Sequence, residues 1–213
     1  MSDRAGDSAG GGARDIDDAI RRRRSIRGLD GPPLPTAELE ALIALALAAP
    51  APHHTQPWRF VEVSTGRRET LAATMGEAWR ADLEHDQVEP GQRDRALERS
   101  RRRVLDAPTL ILGCLVAEGL NAYADDRRRR AEWGLAQHSF GAALQNLLLA
   151  ASARGLGAYW ISAPLYAPEA VRATLDLDPA WEPQALIVIG HPRADYAPFD
   201  RPTPDLGRHF LRR

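Results

Sequence analysis

The chain has 213 residues, 44% of them hydrophobic, which is enough for one well-buried domain, and no Ser/Gly-rich linker divides its interior. Its formal net charge is only -1, so bulk attraction to nucleic acid is not its organising feature. All 28 basic residues are arginine, and a single cysteine excludes an internal disulfide framework.

Met1 to residue 14 is rich in Gly, Ser and Asp and poor in the residues that ordering needs, so it reads as a disordered tail ahead of one domain over 15–213. Asp15 is placed to cap a short helix running to about Arg24. Thr36 is placed to cap a stronger one, whose Leu39, Leu42, Ile43, Leu45, Ala46 and Leu47 make a broad apolar face. Next comes Ala49-Pro50-Ala51-Pro52-His53-His54-Thr55-Gln56-Pro57-Trp58, where the prolines end the helix and bias their neighbours toward extended backbone. The result is a stiff polar loop suited to holding a flat ligand.

Phe60 to Val63 alternates as a short strand. Arg67 to Leu105 is charged and mostly helical, a solvent-facing excursion or lid. Pro108 opens an apolar strand ending near Val116, and Cys114 inside it reads as a buried thiol rather than a nucleophile. Asp126 to Ala153 has helical periodicity, and its second half is apolar on nearly every face, as in a central helix or a subunit interface. Arg154 to Gly157 stops that helix. A strand over Ala158–Ile161, a helix over Pro168–Leu175 and a buried strand over Gln184–Gly190 follow. The apolar runs all fall short of the ~20 residues that span a bilayer, and the chain reads as cytoplasmic.

Several chemistries lack their residues. The six histidines have no metal-ligand spacing, no G-x-S-x-G elbow surrounds a serine, and Gly155-Leu156-Gly157 follows a helix where a dinucleotide turn would follow a strand. The arginine runs 21–24 and 127–130 sit beside Asp15, Asp17, Asp18, Asp125, Asp126 and Glu132, so they read as solvated helix faces and not as a nucleic-acid surface. Three motifs remain: Arg23-Arg24-Ser25-Ile26-Arg27, the Pro52 to Trp58 loop, and Gly155 to Ala163.

In that order they resemble the FMN-dependent nitroreductase family, whose members carry R-R-S-x-R, Q-P-W-x-F and G-L-G elements. The likeness runs from about Ile16 to Arg201. The histidine loop, Trp79-Arg80-Ala81-Asp82-Leu83 and Trp181-Glu182-Pro183 look most like the reductase domain attached to the coenzyme F-420 glutamate ligase of actinobacteria. The resemblance implies an α+β sandwich, a mostly antiparallel sheet flanked by helices, in an interlocked homodimer with two FMN sites built from both subunits.

By similarity, Arg23 and Ser25 hold phosphate or ring-edge oxygens, Arg24 assists, and Arg27 puts a fixed charge beside the pyrimidine, favouring the reduced ring. Pro52, His53, His54 and Gln56 form one wall. His54 stands where the family has Asn and would donate to the flavin, and His53 would face the substrate, unless either histidine only caps the turn. Around Ile161, a backbone N–H of Ser162 or Ala163 would reach flavin N5. Arg193 or Arg201, the latter preferred, would complete the phosphate site, or both are rim residues. The implied activity is reduction of the dehydro precursor of F-420, with a glutamate ligase as a possible separate partner. A general NAD(P)H-dependent nitro or quinone reductase, or a flavin-binding module without turnover, are the alternatives. No metal, nucleic acid or membrane partner is implied.

Overall fold

The computed structural model describes residues 8–213. The expected disorder of the tail therefore lies outside the described residues for 1–7, and from Ser8 the backbone is already helical. Helix α1 covers Ser8–Arg22. Asp15 lies within it and is not its cap. Asp17 and Asp18 instead meet Arg21 and Arg22 one turn on, at 3.5 and 3.2 Å, spacings that support a helix interior. Thr36 likewise starts α2 (Thr36–Leu47) without capping it, because Pro35 occupies the cap position and no side-chain cap bond forms.

Five strands make one sheet: β1 (Leu29–Asp30), β2 (Trp58–Glu62), β3 (Thr109–Leu115), β4 (Gly157–Ile161) and β5 (Glu182–Pro192). Every ladder between them is antiparallel. Strand β5 is central, with β3 along one edge and β4 and β1 in succession along the other, while β2 lies outside β3. Strand β1 carries too few residues for a periodic signal, and sequence reasoning misses it.

Both faces of this sheet are covered, which is why β3 is buried at every residue and reads as an unbroken apolar run. Ile111 and Leu115 point with Ile187 and Ile189 toward α2 and the long helix α5 (Asp126–Ala153). Leu110, Leu112 and Cys114 point with Leu186 and Val188 to the other side, where α3 (Thr65–His85), α4 (Pro90–Leu105) and α6 (Pro168–Leu175) pack. The stretch expected as a solvent-facing lid is thus a helical pair anchored in the core through Leu71, Ala72, Met75 and Val104. A short α7 (Leu206–His209) lies in an exposed C-terminal arm. Helix α5 buries Ala136, Phe140, Ala143, Leu147 and Ala151, and leaves Gly141, Ala142, Leu149 and Ala150 only half covered. No helix among the described residues is long and apolar enough to cross a membrane.

Burial pushes the Cys114 thiol up to about 12, with Glu182 adding to the effect. At pH 8 it is accordingly protonated and enclosed. A disulfide-exchange reagent such as DTNB is expected to leave it untouched until denaturant is added, and prompt reaction of native protein would contradict this packing.

Candidate functional site

The first motif is positioned by backbone contacts to β4. Ser25 pairs in parallel with Ala158, and the N–H of Ile26 donates to the Ala158 carbonyl at 3.2 Å. Gly157 permits this approach, because a Cβ there would lie 2.5 Å from Leu29 and 2.9 Å from Ile26. Arg23, Ser25 and Arg27 thereby line a cavity of about 190 Å3 with Gln145 and Trp160. Arg23, Arg24, Ser25, Arg27 and Arg201 line an adjoining one of about 170 Å3.

The C-terminal segment returns to close this corner. Gly28 lies under Tyr196, whose ring would stand only 2.3 Å from an added Cβ, and the Arg193 N–H donates to the Gly28 carbonyl at 3.0 Å. The Arg201 guanidinium then donates to the Arg23 carbonyl at 2.6 Å. A Gly28→Val protein is expected to push Tyr196 out and loosen Arg201. Faster chymotryptic cleavage after Tyr196 would reveal that, whereas an unchanged digestion pattern would show the contact to be dispensable.

This corner is electrostatically incomplete. Arg23, Arg24, Arg27 and Arg201 have no carboxylate partner among the described residues. Burial, then the nearby Arg201 and Arg24, hold the Arg23 guanidinium below its ordinary value. Its Nε is buried without a hydrogen-bond partner. Clustered cations and an unused donor fit a phosphate dianion, which would relieve both. Arg193 does not join them. Its Nε pairs with Asp195 at 3.2 Å, and it lines a third cavity, of about 240 Å3, with Arg27, Arg102, Arg103 and Tyr159 but not with Arg23, Arg24 or Arg201.

The histidine loop departs from the extended form expected of it. Pro52–His54 is a single 3-10 turn, and His53, His54 and Gln56 have φ of 53°, 57° and 49°. Left-handed backbone costs a non-glycine residue about 1–2 kcal/mol, so three such residues in a row of four need external support. The prolines flank the turn and do not dictate it. Thr55 Oγ1 donates to the Pro52 carbonyl at 2.9 Å, and His53 Nε2 lies 2.8 Å from Glu132 Oε1 on α5. The Asn121 N–H donates to the same carboxylate oxygen at 2.9 Å. His53 is therefore tethered through one ring nitrogen rather than free, while His54 and Gln56 are exposed. Within one chain, no described cavity contains both this loop and the arginine corner.

At the far end of β4, Ile161 and Ala163 line a cavity of about 560 Å3 together with Trp79, Asp82, His85, Asp86, Arg103 and Tyr166. Ser162 between them is exposed, and its carbonyl accepts from the Leu165 N–H at 3.1 Å. A larger cavity of about 810 Å3, between Trp133 and Trp181, contains none of the expected site residues. Asn121 and Gln145 escape sequence reasoning, and Glu132, expected on a solvated helix face, is buried because it turns inward to His53 and the Asn121 N–H. Glu132 had a usable signal: it is a carboxylate on the same helical stripe as Ala136, Phe140 and Ala143.

The family model for the Nitroreductase family matches residues 20–191, a span that contains every motif above but Arg193 and Arg201. The chain belongs to the nitroreductase family. Family membership makes it an FMN-dependent oxidoreductase, with the antiparallel sandwich the resemblance implied. Among individual relatives of this nitroreductase, a 5,6-dimethylbenzimidazole synthase of Rhodospirillum rubrum is 30% identical over 199 residues, covering 91% of this chain and 87% of that protein. A nitroreductase-type structure from Desulfovibrio desulfuricans, solved with FMN, is 26% identical with a TM-score of 0.69, covering 93% and 96% of the two chains. A BluB-like flavoprotein from Clostridium difficile 630 shares the fold with a TM-score of 0.75 at 21% identity, covering 92% and 97%.

Proposed function

We propose that this nitroreductase holds FMN between two copies of itself and uses it to reduce the dehydro precursor of coenzyme F-420. The carrying observation is the position of Trp79 and Asp82. They belong to the stretch that resembles the F-420 branch, and they line the same cavity as Ile161 and Ala163 at the end of β4. Arg23, Arg24 and Arg201 would bind the flavin phosphate, Ser25 its polar chain, and Arg27 would sit by the pyrimidine. Bound FMN would supply hydride chemistry. The separation of the histidine loop from the arginine corner supports a site completed by a second copy, whose Pro52, His53, His54 and Gln56 would form the missing wall. Exposed Ile16, Ile20, Leu45, Leu47 and Leu135 supply apolar surface for that contact.

Trp79 and Tyr166 would flank the flat substrate, and Arg103 would meet an anionic group on it. Removing the indole in Trp79→Ala is expected to raise KM for the precursor roughly tenfold, with a smaller change in kcat. The deciding experiment incubates FMN-loaded protein, dehydro-F-420 and a reductant, and looks by mass spectrometry for a product gaining two hydrogens. FMN-loaded protein that gives none would defeat this substrate. A parallel incubation without the precursor, analysed for 5,6-dimethylbenzimidazole, tests the activity named for the Rhodospirillum relative.

A second reading, general NAD(P)H-dependent reduction of quinones or nitro compounds, draws on the cavity's charge. Asp82 and Asp86 outnumber Arg103 there, which suits an uncharged acceptor. Rapid quinone-dependent NAD(P)H oxidation with no turnover of the precursor would favour it. In the first reading, a separate glutamate ligase would act on the same coenzyme.

A further inference from the structure

We infer that His53, oriented by the buried carboxylate of Glu132, delivers the proton that accompanies hydride transfer in the proposed two-copy site. The inference rests on the reading above and assigns a step that reading leaves open. Reducing a polarised double bond takes a hydride and a proton. Bound reduced FMN would supply the hydride to one end of the double bond, and the π pair would move to the other end. That end takes a proton from the imidazolium of His53, leaving neutral imidazole. Solvent would then restore the proton, and a nicotinamide-type donor would supply the two electrons consumed.

The structure supplies the geometry. Glu132 is buried, 7% exposed at its side chain, yet its Oε1 lies 2.8 Å from His53 Nε2, on a side chain that is 46% exposed. Among the described residues His53 is the only group able to carry positive charge that Glu132 contacts in this way. A carboxylate against Nε2 favours the proton on that nitrogen and leaves Nδ1 with no bond to a described residue. The Asn121 amide nitrogen also lies 2.9 Å from Nε2, and with the proton on Nε2 this amide turns to present its oxygen to the ring. The ring is presented by a turn whose φ values at His53 and His54 are left-handed, so α5 holds an otherwise unfavourable loop in one pose. Glu132 acts through His53 and is a positioning residue.

The test compares wild type, His53→Asn and Glu132→Gln, all loaded with FMN and reduced, by following flavin reoxidation. The acceptors are dehydro-F-420, a quinone if the precursor is not reduced, and ferricyanide, which takes electrons without a proton. Loss of 30-fold or more with the proton-requiring acceptor, against less than threefold with ferricyanide, is expected for His53→Asn. Glu132→Gln should show a smaller loss of the same kind. Nitrogen NMR of the FMN-free protein should show His53 protonated on Nε2 in wild type and a mixture of tautomers in Glu132→Gln. Equal losses with both acceptors, no loss, or an unchanged tautomer would overturn the inference. Wild type that reduces the quinone but not the precursor would defeat only the F-420 reading, and wild type that reduces neither would defeat both.

Discussion

Arg23→Ala protein is expected to bind FMN 30- to 100-fold more weakly than wild type, as read by quenching of flavin fluorescence on titration. The charge-assisted bonds of a guanidinium to phosphate contribute about 2–3 kcal/mol, which sets that range. The FMN-free protein should respond differently. There Arg23 lies against Arg201 and Arg24 with its Nε unsatisfied, so truncation removes repulsion as well as packing. Its Tm without FMN should therefore fall by only a few degrees or rise, while the stabilisation that added FMN confers should shrink sharply. Arg201→Ala should follow the same pattern more weakly, and Arg193→Ala, whose partner is Asp195, should leave FMN affinity near wild type. Equal affinity in wild type and Arg23→Ala would remove the phosphate from this corner.

Arg68→Ala should cost about 3 kcal/mol of stability, a fall in Tm of roughly 6–12 °C for a chain of this length. Arg68 is 6% exposed on α3 and reaches across to the start of β3. Its Nε donates to the Val63 carbonyl at 3.3 Å, and its terminal nitrogens donate to the carbonyls of Ala107 and, at 3.4 Å, Pro108. Burial holds its guanidinium below the ordinary value, with Glu62 acting in the opposite direction. Truncation removes the stem's packing and leaves carbonyls unpaired at the joint between helical pair and sheet. Calorimetric scans of the FMN-free proteins would check it, and a shift under about 2 °C would show that water replaces the guanidinium at no cost.

Much of the fold was legible because local periodicity reports burial. The spans Asp126–Ala153 and Pro168–Leu175 were read with the boundaries they have, and β3 and β5 within two residues, since each buries a face whose pattern is written in consecutive side chains. Asp15 and Thr36 have capping side chains but cap no helix. A residue that can cap does so only if the chain turns there, and ion pairs in α1 and Pro35 before α2 settled otherwise. The excursion looked like a lid because its charge is high, yet one Leu/Ala/Met/Val stripe suffices to bind it to the core.

The site divides along the same line. The amino-acid sequence by itself determined the types and order of the longer elements and the arginine, histidine-loop and β4 motifs, because residue type and spacing carry those directly. Only the tertiary structure decided which of these meet. Arg201 reaches Arg23 across 178 positions and Glu132 reaches His53 across 79, contacts set by how the tail and α5 pack on the sheet and not by any local pattern. Packing likewise turned a loop expected to be extended into a left-handed turn. A local sequence pattern specifies which face is buried, but the partner buried against it is chosen by the closure of the whole chain.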